Sequence, residues 1–479
     1  MKRTLIKETH SNIDKEVTLI GWVDTRRDMG KMVFIELKDR TGVIQCTLLP
    51  DVSDEAKATA AEIRPQFVIS VTGKVVKRPE KMVNADKPFG DVELVVSALE
   101  IINSSETPPF PLETDGTEIK EELRLEYRYL DMRRDRVRRN MVVRSQVFSM
   151  IRDIMRDLEF LEIDTPVLTK GTPEGAREYL VPARNKPGEF YVLPQSPQQF
   201  KQLLMVGGLE KYFQIARCFR DEDVRADRHQ EFIQLDIEMS FVTQEEVMDL
   251  DERIMVTLIE QIQNYKVTDK DWPEWAEFVK NPPRLQSKEF PVMTYAEAME
   301  KFGTDKPDIR NNKDDPTEFA FLWVVDFPLF EDAGDGKLAS SHHPFTMPHP
   351  DDMDKLDSDP LSVRSYAYDL VLNGYEVGGG SVRIHDPELQ KKIFTLLGVE
   401  DEQQEIKFGH LLRAFEYGVP PHGGIAHGLG RLLMILLNEP SIREVIPFPK
   451  TGDGNDLLMG APSPVPDHRL DEAHIKIKK

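Results

Sequence analysis

A short alternation in the middle of the chain constrains its fold more than any other feature. Residues 231–240 read EFIQLDIEMS. Ile233, Leu235, Ile237 and Met239 share one parity, and Phe232, Gln234, Asp236 and Glu238 share the other. Because successive side chains of a β-strand point to opposite faces, the pattern predicts a strand with one apolar face in the core and one polar face. The charged stretch just before it, FRDEDVRADRHQ, is predicted to be a loop beside that polar face.

The composition is that of a globular protein. The chain has 479 residues, 40% of them hydrophobic, and this size predicts two to four domains. A net charge of -22 argues against a protein that coats nucleic acid with its whole surface. Two local basic stretches, RRDMGK at 26–31 and RRDRVRR at 133–139, can still bind a polyanion, since surface fields decay within about 10 Å in physiological salt. The alternative for either stretch is a solvated face.

The cysteines and the hydropathy pattern indicate a compartment. Cys46 and Cys218 both lie in apolar, strand-like stretches, and two cysteines indicate neither a disulfide framework nor a zinc site. The N-terminal residues lack the apolar core of a secretory signal, and no run approaches the ~18 apolar residues of a membrane span. We therefore expect a cytoplasmic protein with no membrane partner.

Residues 17–102 contain five predicted strands with a helix between the third and the fourth. This order is that of an OB-fold, a small barrel often used to bind single-stranded nucleic acid. In KMVFIELKD, Val33, Ile35 and Leu37 form the predicted inward face, which places Phe34 outward. An exposed aromatic ring on such a strand can stack on a base, a contact worth about 1 to 3 kcal/mol. The alternative is an isolated surface phenylalanine.

A Pro-rich stretch, SSETPPFPLETDG at 104–116, marks the first predicted domain boundary. We place the OB-fold domain at 1–104, a linker at 105–130 and a larger domain at 131–479. Residues 242–320 have weaker patterns and are interpreted as loop and variable insertion.

The larger domain contains a predicted helix and two glycine-rich stretches. Apolar residues recur at three- and four-residue spacing from Val143 to Leu158, which predicts a helix that leads into a strand ending at Pro166. Neither GxxxxGK[ST] nor a GxGxxG that follows a strand occurs, so GYEVGGGSVRIH and HGGIAHGLGRLLMILL need another explanation. The second stretch predicts a helix that opens near Leu429. Arg431 would then lie at its positive end, where a nucleotide could bind.

Three stretches resemble, in chain order, the signature motifs of the class II aminoacyl-tRNA synthetases. The helix and strand ending at Pro166 resemble motif 1, FRDEDVRADRHQEF resembles motif 2, and GGIAHGLGRL resembles motif 3. TPEGAREYLVPAR, LPQSPQQFKQLLM, SSHHPFTMP and NGYEVGGGSVRIH are similar to the aspartyl-tRNA synthetase family in particular. The similarity spans nearly the whole chain.

The resemblance implies an α+β protein, in which an N-terminal OB-fold that reads the anticodon precedes a catalytic antiparallel sheet flanked by helices. The implied activity is ATP- and Mg²⁺-dependent ligation of L-aspartate to tRNA-Asp by a homodimer. In the barrel, Phe34, Gln45 and Glu93 would meet anticodon bases.

The resemblance also implies residues for the nucleotide site. Catalytic roles fall to Arg220, Glu222 and Arg431. Arg220 would bind the α-phosphate, Glu222 would bond the adenine amino group, and Phe232 with Arg431 would stack on the two faces of adenine. Asp369 and Glu376 would hold Mg²⁺ through carboxylate oxygens. The remaining implied ATP contacts are His229, Gly428, Leu429 and Gly430.

Eight residues are implied around the aspartate: Glu174, Gln198, Lys201, Gln234, Asp236, His342, His343 and Arg383. Asp236 and the two amides would bind the ammonium group. Lys201 and Arg383 would bind the side-chain carboxylate, in the arginine case through two bonds. Glu174 belongs to the loop that the family closes over the amino acid, and the two histidines match a family pair beside the pocket.

The sequence departs from the family pattern in three places. The insertion between motifs 2 and 3 is shortened to the segment at about 242–320. Gly430 stands before Arg431 where bacterial members usually have Asp, and could loosen the helix start. His229 and Gln230 stand where Gln and Pro are usual.

Several alternatives stay open. The first is a synthetase for asparagine or lysine, which Lys201 and Arg383 disfavour, since two cations would be unpaired around an amide and would repel an ammonium group. The second is a non-catalytic synthetase-like RNA-binding protein, for which loss of Arg220, Glu376 or Arg431 would be expected. The third is an amide-forming enzyme, which would not need the OB domain. Charging could also extend from tRNA-Asp to tRNA-Asn.

Overall fold

The protein is described from a computed structural model that covers residues 3–85, 87, 89–171, 175–268 and 270–478. These residues form two compact units. The first comprises Met1–Gly116 and Lys266–Phe278, and the second comprises Thr117–Tyr265 and Val279–Lys479. The units are therefore not contiguous in sequence, whereas the boundaries drawn from the sequence were.

The first unit is a closed barrel with the predicted strand order. Its elements are β1 (Glu16–Asp28), β2 (Val33–Asp39), β3 (Gly42–Leu48), α1 (Asp54–Glu62), β4 (Val68–Lys77) and β5 (Val92–Asn103). Hydrogen bonding runs in the order β1-β2-β3-β5-β4, and β3 and β5 pair in parallel. As predicted for β2, Ile35 and Leu37 are fully buried in the barrel core and Val33 packs against it.

The second unit contains the other described strands and, apart from α7, the other described α-helices. The helices are α2 (Glu121–Glu126), α3 (Arg128–Asp131), α4 (Asp135–Asp157), α5 (Gln198–Val206), α6 (Gln244–Gln263), α7 (Pro273–Phe278, grouped with the first unit), α8 (Tyr295–Phe302), α9 (Pro387–Leu396), α10 (Asp401–Phe415), α11 (Leu429–Leu436) and α12 (Asp467–Glu472). The strands are β6 (Leu161–Glu162), β7 (Leu180–Pro182), β8 (Phe190–Val192), β9 (Lys211–Phe219), β10 (Glu231–Ser240), β11 (Arg284–Leu285), β12 (Val292–Thr294), β13 (Glu318–Phe319), β14 (Phe321–Val325), β15 (Phe330–Gly334), β16 (Lys337–Ser340), β17 (Ala367–Leu372), β18 (Tyr375–Val382) and β19 (His422–Gly428).

Eight of these strands form one sheet in the order β12-β14-β17-β18-β19-β10-β9-β6. The interior pairs are antiparallel, and the two end pairs, β12 with β14 and β6 with β9, are parallel. The alternating segment is β10, and its apolar side chains Leu235 and Ile237 are fully buried. α4 packs against α6, which in turn packs against β19. The sheet flanked by helices agrees with the predicted fold class.

The interpretation of 242–320 as loop and insertion was wrong for its first part. α6 begins with a capping box, in which Thr243 and Glu246 bond each other's backbone N–H, and it buries Val247, Ile254, Leu258 and other apolar residues against the sheet. The three- and four-residue spacing in VMDLDERIMVTLIEQI was the available signal.

Later parts of this segment are ordered too. β12 joins the large sheet beside β14, and the stretch PEWAEF forms α7 rather than a loop. Within the first unit, the Arg40 guanidinium lies 5.2 Å from the centroid of the Trp272 ring, a cation–π contact between the barrel and the returning segment. A pairing this far apart in sequence leaves no local signal.

The basic stretch at 133–139 is neither a polyanion site nor a solvated face. Arg134 is fully buried and donates to Asp131, while Arg136 lies between Glu439 and Glu444. These bonds join the start of α4 to a segment about 300 residues later. The stretch therefore contributes a buried ion-pair network to the second unit.

In the part of the chain that the structure describes, none of the helices combines the length and the apolar character that crossing a bilayer requires.

Candidate active site

Two neighbouring cavities open on the large sheet. The smaller has a volume of about 150 Å³ and the larger about 400 Å³. Arg220, Gln234, Glu376 and Ala426 line both of them, so the cavities meet at these residues. The smaller is also lined by the predicted ATP contacts Glu222, His229, Phe232, Gly428, Gly430 and Arg431. The larger is also lined by Asp236, His342, His343, Asp369 and Arg383.

The floor of the site consists of β10, β19 and β18 side by side. Asp236 pairs with Ala426, which pairs with Gly379 on its other side. The small residues on β18 and β19 leave space above the sheet beside the long polar side chains of β10. At Gly424, a Cβ atom would lie 2.2 Å from Oε2 of Glu238, so a side chain would displace that carboxylate. Close approach thus explains glycines in both glycine-rich stretches.

The smaller cavity, called the nucleotide end because the predicted ATP contacts line it, contains two arginines that differ in their bonding partners. Arg431, near the start of α11, donates to the backbone oxygen of Glu376 and lies 3.1 Å from the Asp227 carboxylate. The Arg220 guanidinium lies 5.1 Å from the centroid of the Phe232 ring. Among the described residues, nothing forms a hydrogen bond or an ion pair with that guanidinium. Arg220 is therefore an uncompensated cation where the two cavities meet.

The other predicted catalytic residue, Glu222, forms an ion pair with Arg228 of the same loop at 2.9 Å. It lines the smaller cavity, but this pairing leaves less of the carboxylate for a ligand. Leu429 is fully buried and lines neither cavity, unlike its neighbours Gly428 and Gly430, so its predicted contact with ATP stays a prediction. α11 begins at Leu429 as predicted, but the helix directs this side chain into the core.

His229 holds the charged loop in place through both ring nitrogens. The Lys450 backbone N–H donates to Nε2 at 2.9 Å, so the neutral ring carries its proton on Nδ1, which donates to the Glu231 carbonyl oxygen at 2.8 Å. Burial lowers the pKa of His229, which favours this neutral form. His229 also lines the smaller cavity, so its predicted contact with ATP stays a prediction beside this positioning role.

The amino-acid end is a compensated network of four buried charges. Lys201 Nζ lies 2.8 Å from Asp236 Oδ1 and 3.2 Å from Glu238 Oε2. Arg383 donates to both oxygens of Glu238, at 3.0 Å each. Burial acts to raise the pKa of Glu238, but Arg383 and Lys201 outweigh it and lower that pKa to about 2. The two cations are thus already paired, which weakens the argument that they alone select an acidic substrate.

Arg383 uses all of its donors within the protein. Besides Glu238, it donates to His343 Nε2 at 2.8 Å, to Ser381 Oγ at 2.6 Å and to the Gly424 carbonyl oxygen at 3.2 Å. A guanidinium has five N–H groups, and five acceptors are in place. Arg383 therefore has no free N–H group for the predicted two-bond contact with a substrate carboxylate.

Asp236 offers the open acceptor of this end, since its Oδ2 is buried without a hydrogen-bond partner. Burial raises the pKa of Asp236 against the opposing effect of Lys201. Lys201 and Gln198 are buried and line neither cavity, so their predicted contacts with the aspartate stay predictions. Glu174 lies outside the described residues.

The two predicted histidines, His342 and His343, contact different partners. His342 Nε2 lies 3.0 Å from Asp369 Oδ1. Burial would lower the pKa of His342, but the Asp369 carboxylate raises it overall. Burial and the Arg383 guanidinium together hold the pKa of His343 well below its usual range. His343 is thus a neutral acceptor for Arg383.

Asp369 and Glu376 converge on one point of the floor. A Cβ atom on Gly379 would lie 2.9 Å from Asp369 Oδ1 and 3.7 Å from Glu376 Oε1. Burial and the Asp369 charge raise the pKa of Glu376 against the opposing effect of Arg431, whose guanidinium lies 3.8 Å from the Glu376 carboxylate. No group of three or more His, Cys, Asp or Glu side chains within the described ranges is arranged to hold a metal ion. The pair fits Mg²⁺, which often takes only one or two protein carboxylates and completes its shell with phosphate and water.

In the barrel, the three predicted anticodon contacts lie together. Gln45 Nε2 donates to Glu93 Oε2 at 2.8 Å, and the Thr47 hydroxyl donates to the same oxygen at 2.7 Å. Phe34 pairs with Thr47 across β2 and β3 and is half-buried rather than fully exposed. The structure thus brings Phe34, Gln45 and Glu93 onto one face.

Two residues of the site were not assigned from the sequence. Glu238 compensates both cations of the amino-acid end, and its parity with Asp236 in the strand was the available signal. Cys218 donates to the Gln234 side-chain oxygen at 3.2 Å, a contact with no sequence signal.

An arginine without an ion-pair partner lies where the cavity lined by the predicted ATP contacts meets a pocket of buried charges. Such an arrangement is suited to activating an acid with a nucleotide. Residues 120–452 match the family model of the class II tRNA synthetases (D, K and N), and residues 17–102 match the OB-fold nucleic acid binding domain. The chain belongs to the class II tRNA synthetases, which confirms the predicted resemblance and fold class.

Its curated relatives include the aspartate-tRNA(Asp/Asn) ligase of Rubrobacter xylanophilus, which is 40% identical over 98% of this chain and 95% of its own length. The aspartate-tRNA ligase of Geobacillus kaustophilus is 40% identical over 97% of each chain. The first of these alignments runs over 591 positions, more than the 479 residues of this chain, so over a hundred positions have no counterpart here.

Solved structures share the fold. The aspartyl-tRNA synthetase of Entamoeba histolytica has a TM-score of 0.73 at 24% identity, covering 94% of this chain and 91% of its own. The asparaginyl-tRNA synthetase of Pyrococcus horikoshii, solved with asparaginyl-adenylate, has a TM-score of 0.72 at 23% identity, covering 94% of this chain and 98% of its own.

Proposed function

We propose that this protein is an aspartate-tRNA ligase, which activates L-aspartate with ATP and transfers it to the 3′ end of tRNA-Asp. In the first step, an α-carboxylate oxygen of aspartate attacks the α-phosphorus of ATP. The bond to the β-phosphate oxygen breaks, and pyrophosphate leaves. In the second step, a terminal ribose hydroxyl of tRNA attacks the carbonyl carbon of the adenylate, and AMP leaves.

The observation that carries this proposal is the uncompensated Arg220 between the two cavities. The first step brings two anions together and increases the charge on the α-phosphate oxygens. A cation already in position at that point needs little reorganisation when the charge develops, and no general base is required. The relatives that carry the name aspartate-tRNA ligase support the choice of substrate.

At the nucleotide end, adenine is proposed to stack between Phe232 and Arg431. The Arg220 guanidinium lies over the Phe232 ring, so it would leave that ring for the phosphate when ATP binds. Arg431 sits at the start of α11, where the positive end of the helix adds to its charge. Glu222 would reach the adenine amino group after exchanging its bond to Arg228.

At the amino-acid end, the substrate side-chain carboxylate is proposed to replace His343 as an acceptor of Arg383. Of the acceptors around Arg383, only the His343 side chain also lines the larger cavity. A carboxylate is a stronger acceptor for a guanidinium than a neutral ring nitrogen, because the bond is charge-assisted. The substrate ammonium group would bind Asp236, whose Oδ2 has no other partner.

Asp369 and Glu376 would hold Mg²⁺ at the point where they converge above Gly379. The ion would supply positive charge to the phosphates of ATP. Asp369 also keeps His342 at the cavity wall through the bond to its Nε2 atom.

The working enzyme is proposed to be a homodimer that acts in the cytoplasm, the compartment of its tRNA substrate. Three apolar side chains near the β6 edge of the sheet, Leu161, Val167 and Leu168, are 47%, 44% and 54% exposed, and lie in or directly after the stretch that resembles motif 1. Covering such side chains with the same surface of a second copy is the usual two-fold arrangement. We assign anticodon binding to the barrel of the first unit and catalysis to the second unit.

Charging purified tRNA-Asp and tRNA-Asn separately with radioactive aspartate tests the function and decides the tRNA range. Aspartate should be attached to tRNA-Asp, and asparagine should not replace it. Faster pyrophosphate exchange with asparagine than with aspartate would contradict the proposal. Relatives are named both aspartate-tRNA ligase and aspartate-tRNA(Asp/Asn) ligase, so charging of tRNA-Asn is the informative second arm.

A further inference from the structure

Cys218 lies behind the active site and has no role in the reaction described above. It is the next-to-last residue of β9, fully buried, and one of only two cysteines in the chain. Its Sγ atom lies 3.2 Å from Oε1 of Gln234 on the neighbouring strand and 3.9 Å from the Ala216 carbonyl oxygen, so Oε1 is the nearer of two acceptors for the S–H group. Cys218 pairs with Phe232 and Gln234 pairs with Ala216, so thiol and amide are diagonal neighbours across the two strands.

The direction of this hydrogen bond determines which end of the amide faces the reactants. A thiol is a weak donor and a carboxamide oxygen is an acceptor, so the S–H group holds Oε1 towards the sheet. No described residue bonds the amide nitrogen of Gln234. Gln234 lines both cavities, so its two N–H donors are available where the cavities meet.

We propose that Cys218 is a positioning residue, which orients the Gln234 amide so that its NH₂ group binds an anionic oxygen of the substrates. This inference rests on the proposed function, in which the α-carboxylate and the α-phosphate meet at this place beside Arg220. Gln234 then serves as a neutral second donor to those oxygens. It does not receive the substrate ammonium group, the role that the family resemblance implies for it.

The charge balance of the site agrees with this orientation. The ammonium group has a dedicated acceptor in Asp236 Oδ2, whereas Arg220 is the only cation shared by both cavities among the described lining residues. Each additional donor at the junction stabilises the two anions that react there. An amide adds donors without adding a charge that would need compensation in the free enzyme.

The hydrogen bond is tested directly by infrared spectroscopy of the S–H stretch. In a Cys46→Ala background, Cys218 is the only thiol of the chain. We expect the S–H band at the frequency of a hydrogen-bonded thiol, with a shift to higher frequency when Gln234→Leu removes the acceptor. An unshifted band would overturn the contact. This readout does not depend on activity, so it holds even if the proposed function fails.

The consequence for catalysis is tested by pyrophosphate exchange. Cys218→Ala should lower kcat/KM for aspartate about fivefold, the effect of losing one ordinary hydrogen bond, while Cys218→Ser keeps a donor and should retain most of the rate. Cys46→Ala, which removes the barrel thiol, is the matched control. Equal losses in the alanine and serine variants, in step with lower melting temperatures, would show a packing role and overturn the proposal.

Gln234→Glu separates the two orientations of the amide. If the NH₂ group faces anionic oxygens, a carboxylate there repels them, and kcat/KM should fall by about two orders of magnitude or more. If Oε1 faces the ammonium group instead, the added charge would preserve or improve aspartate binding, and the proposal would be wrong.

Discussion

Glu238 offers the sharpest test of the charge network beneath the amino-acid pocket. Its carboxylate is fully buried, bonds Arg383 through both oxygens at 3.0 Å and lies 3.2 Å from Lys201. Glu238→Gln keeps the shape of the side chain and removes its charge. The two cations are then left with Asp236 alone, so one positive charge is uncompensated in the interior.

The magnitude follows from the pKa of the group. The fall from the ordinary 4.5 to about 2 corresponds to roughly 3 kcal/mol of stabilisation of the charged form in the fold. Removing one member of a buried ion pair costs about 3 to 5 kcal/mol, a similar amount. We therefore expect Glu238→Gln to lower the free energy of unfolding by about 3 kcal/mol at pH 7.

The contribution of Glu238 to the free energy of unfolding should depend on pH in a defined direction. Because the folded-state pKa of Glu238 is lowered, its contribution is complete above the unfolded pKa of 4.5 and is lost as the pH falls towards 2. The stability difference between the parent and Glu238→Gln should therefore begin to shrink below about pH 5. Urea unfolding at a series of pH values, followed by far-UV circular dichroism, measures this difference.

The matched control lies on the same strand. Glu231 pairs with Arg217 at the surface, where an ion pair is worth at most about 1 kcal/mol. Glu231→Gln should change stability little at any of these pH values. A Glu238→Gln effect no larger than that of the control, or one that stays constant from pH 7 to pH 3.5, would refute the reasoning.

Four further outcomes follow from the site and the barrel. Arg383→Leu should lower aspartate-dependent pyrophosphate exchange about tenfold to a hundredfold, since a buried charge-assisted bond is worth about 1.5 to 3 kcal/mol; an unchanged rate would exclude Arg383 from substrate binding. Asp369→Asn should raise the Mg²⁺ concentration needed for half-maximal exchange, and an unchanged requirement would place the ion elsewhere. Phe34→Ala should weaken tRNA charging at fixed salt by the loss of about 1 to 3 kcal/mol of stacking and leave exchange near normal; equal losses in both assays would mean a folding role. Sedimentation at micromolar concentration should show one species near twice the 55.0 kDa chain, and Leu168→Asp should shift it to the monomer; an active monomeric parent would contradict the proposed interface.

The strands and the start of the nucleotide-site helix could be predicted from the sequence because their signals are local. Alternation with a period of two defines β10 and the barrel strands, and it correctly placed Ile35 and Leu37 inside the barrel. The glycines before Arg431 marked the start of α11 to the residue. α6 has an equally local signal, and it was missed because the segment around it was interpreted as insertion.

Motif order named about half of the residues that line the cavities, but not what each of them contacts. Lys201 pairs with a residue 35 positions away, and Arg383 with one 145 positions away. Such pairings exist only once the sheet order is set, since they depend on which strands become neighbours. The tertiary structure therefore decided that Arg383 has no spare donor and that Arg220 does.

The same reason explains why charge patterns misled. RRDRVRR is seven residues of dense positive charge, which favours a surface location when nothing else is known. Folding brings Glu439 and Glu444 to these arginines from about 300 residues away, and the paired charges become buried. The sequence alone determined β10, the barrel strands and the start of α11, and which polar side chains of β10 share a face. Only the tertiary structure decided which of those charges are compensated, because compensation depends on neighbours that are distant in sequence.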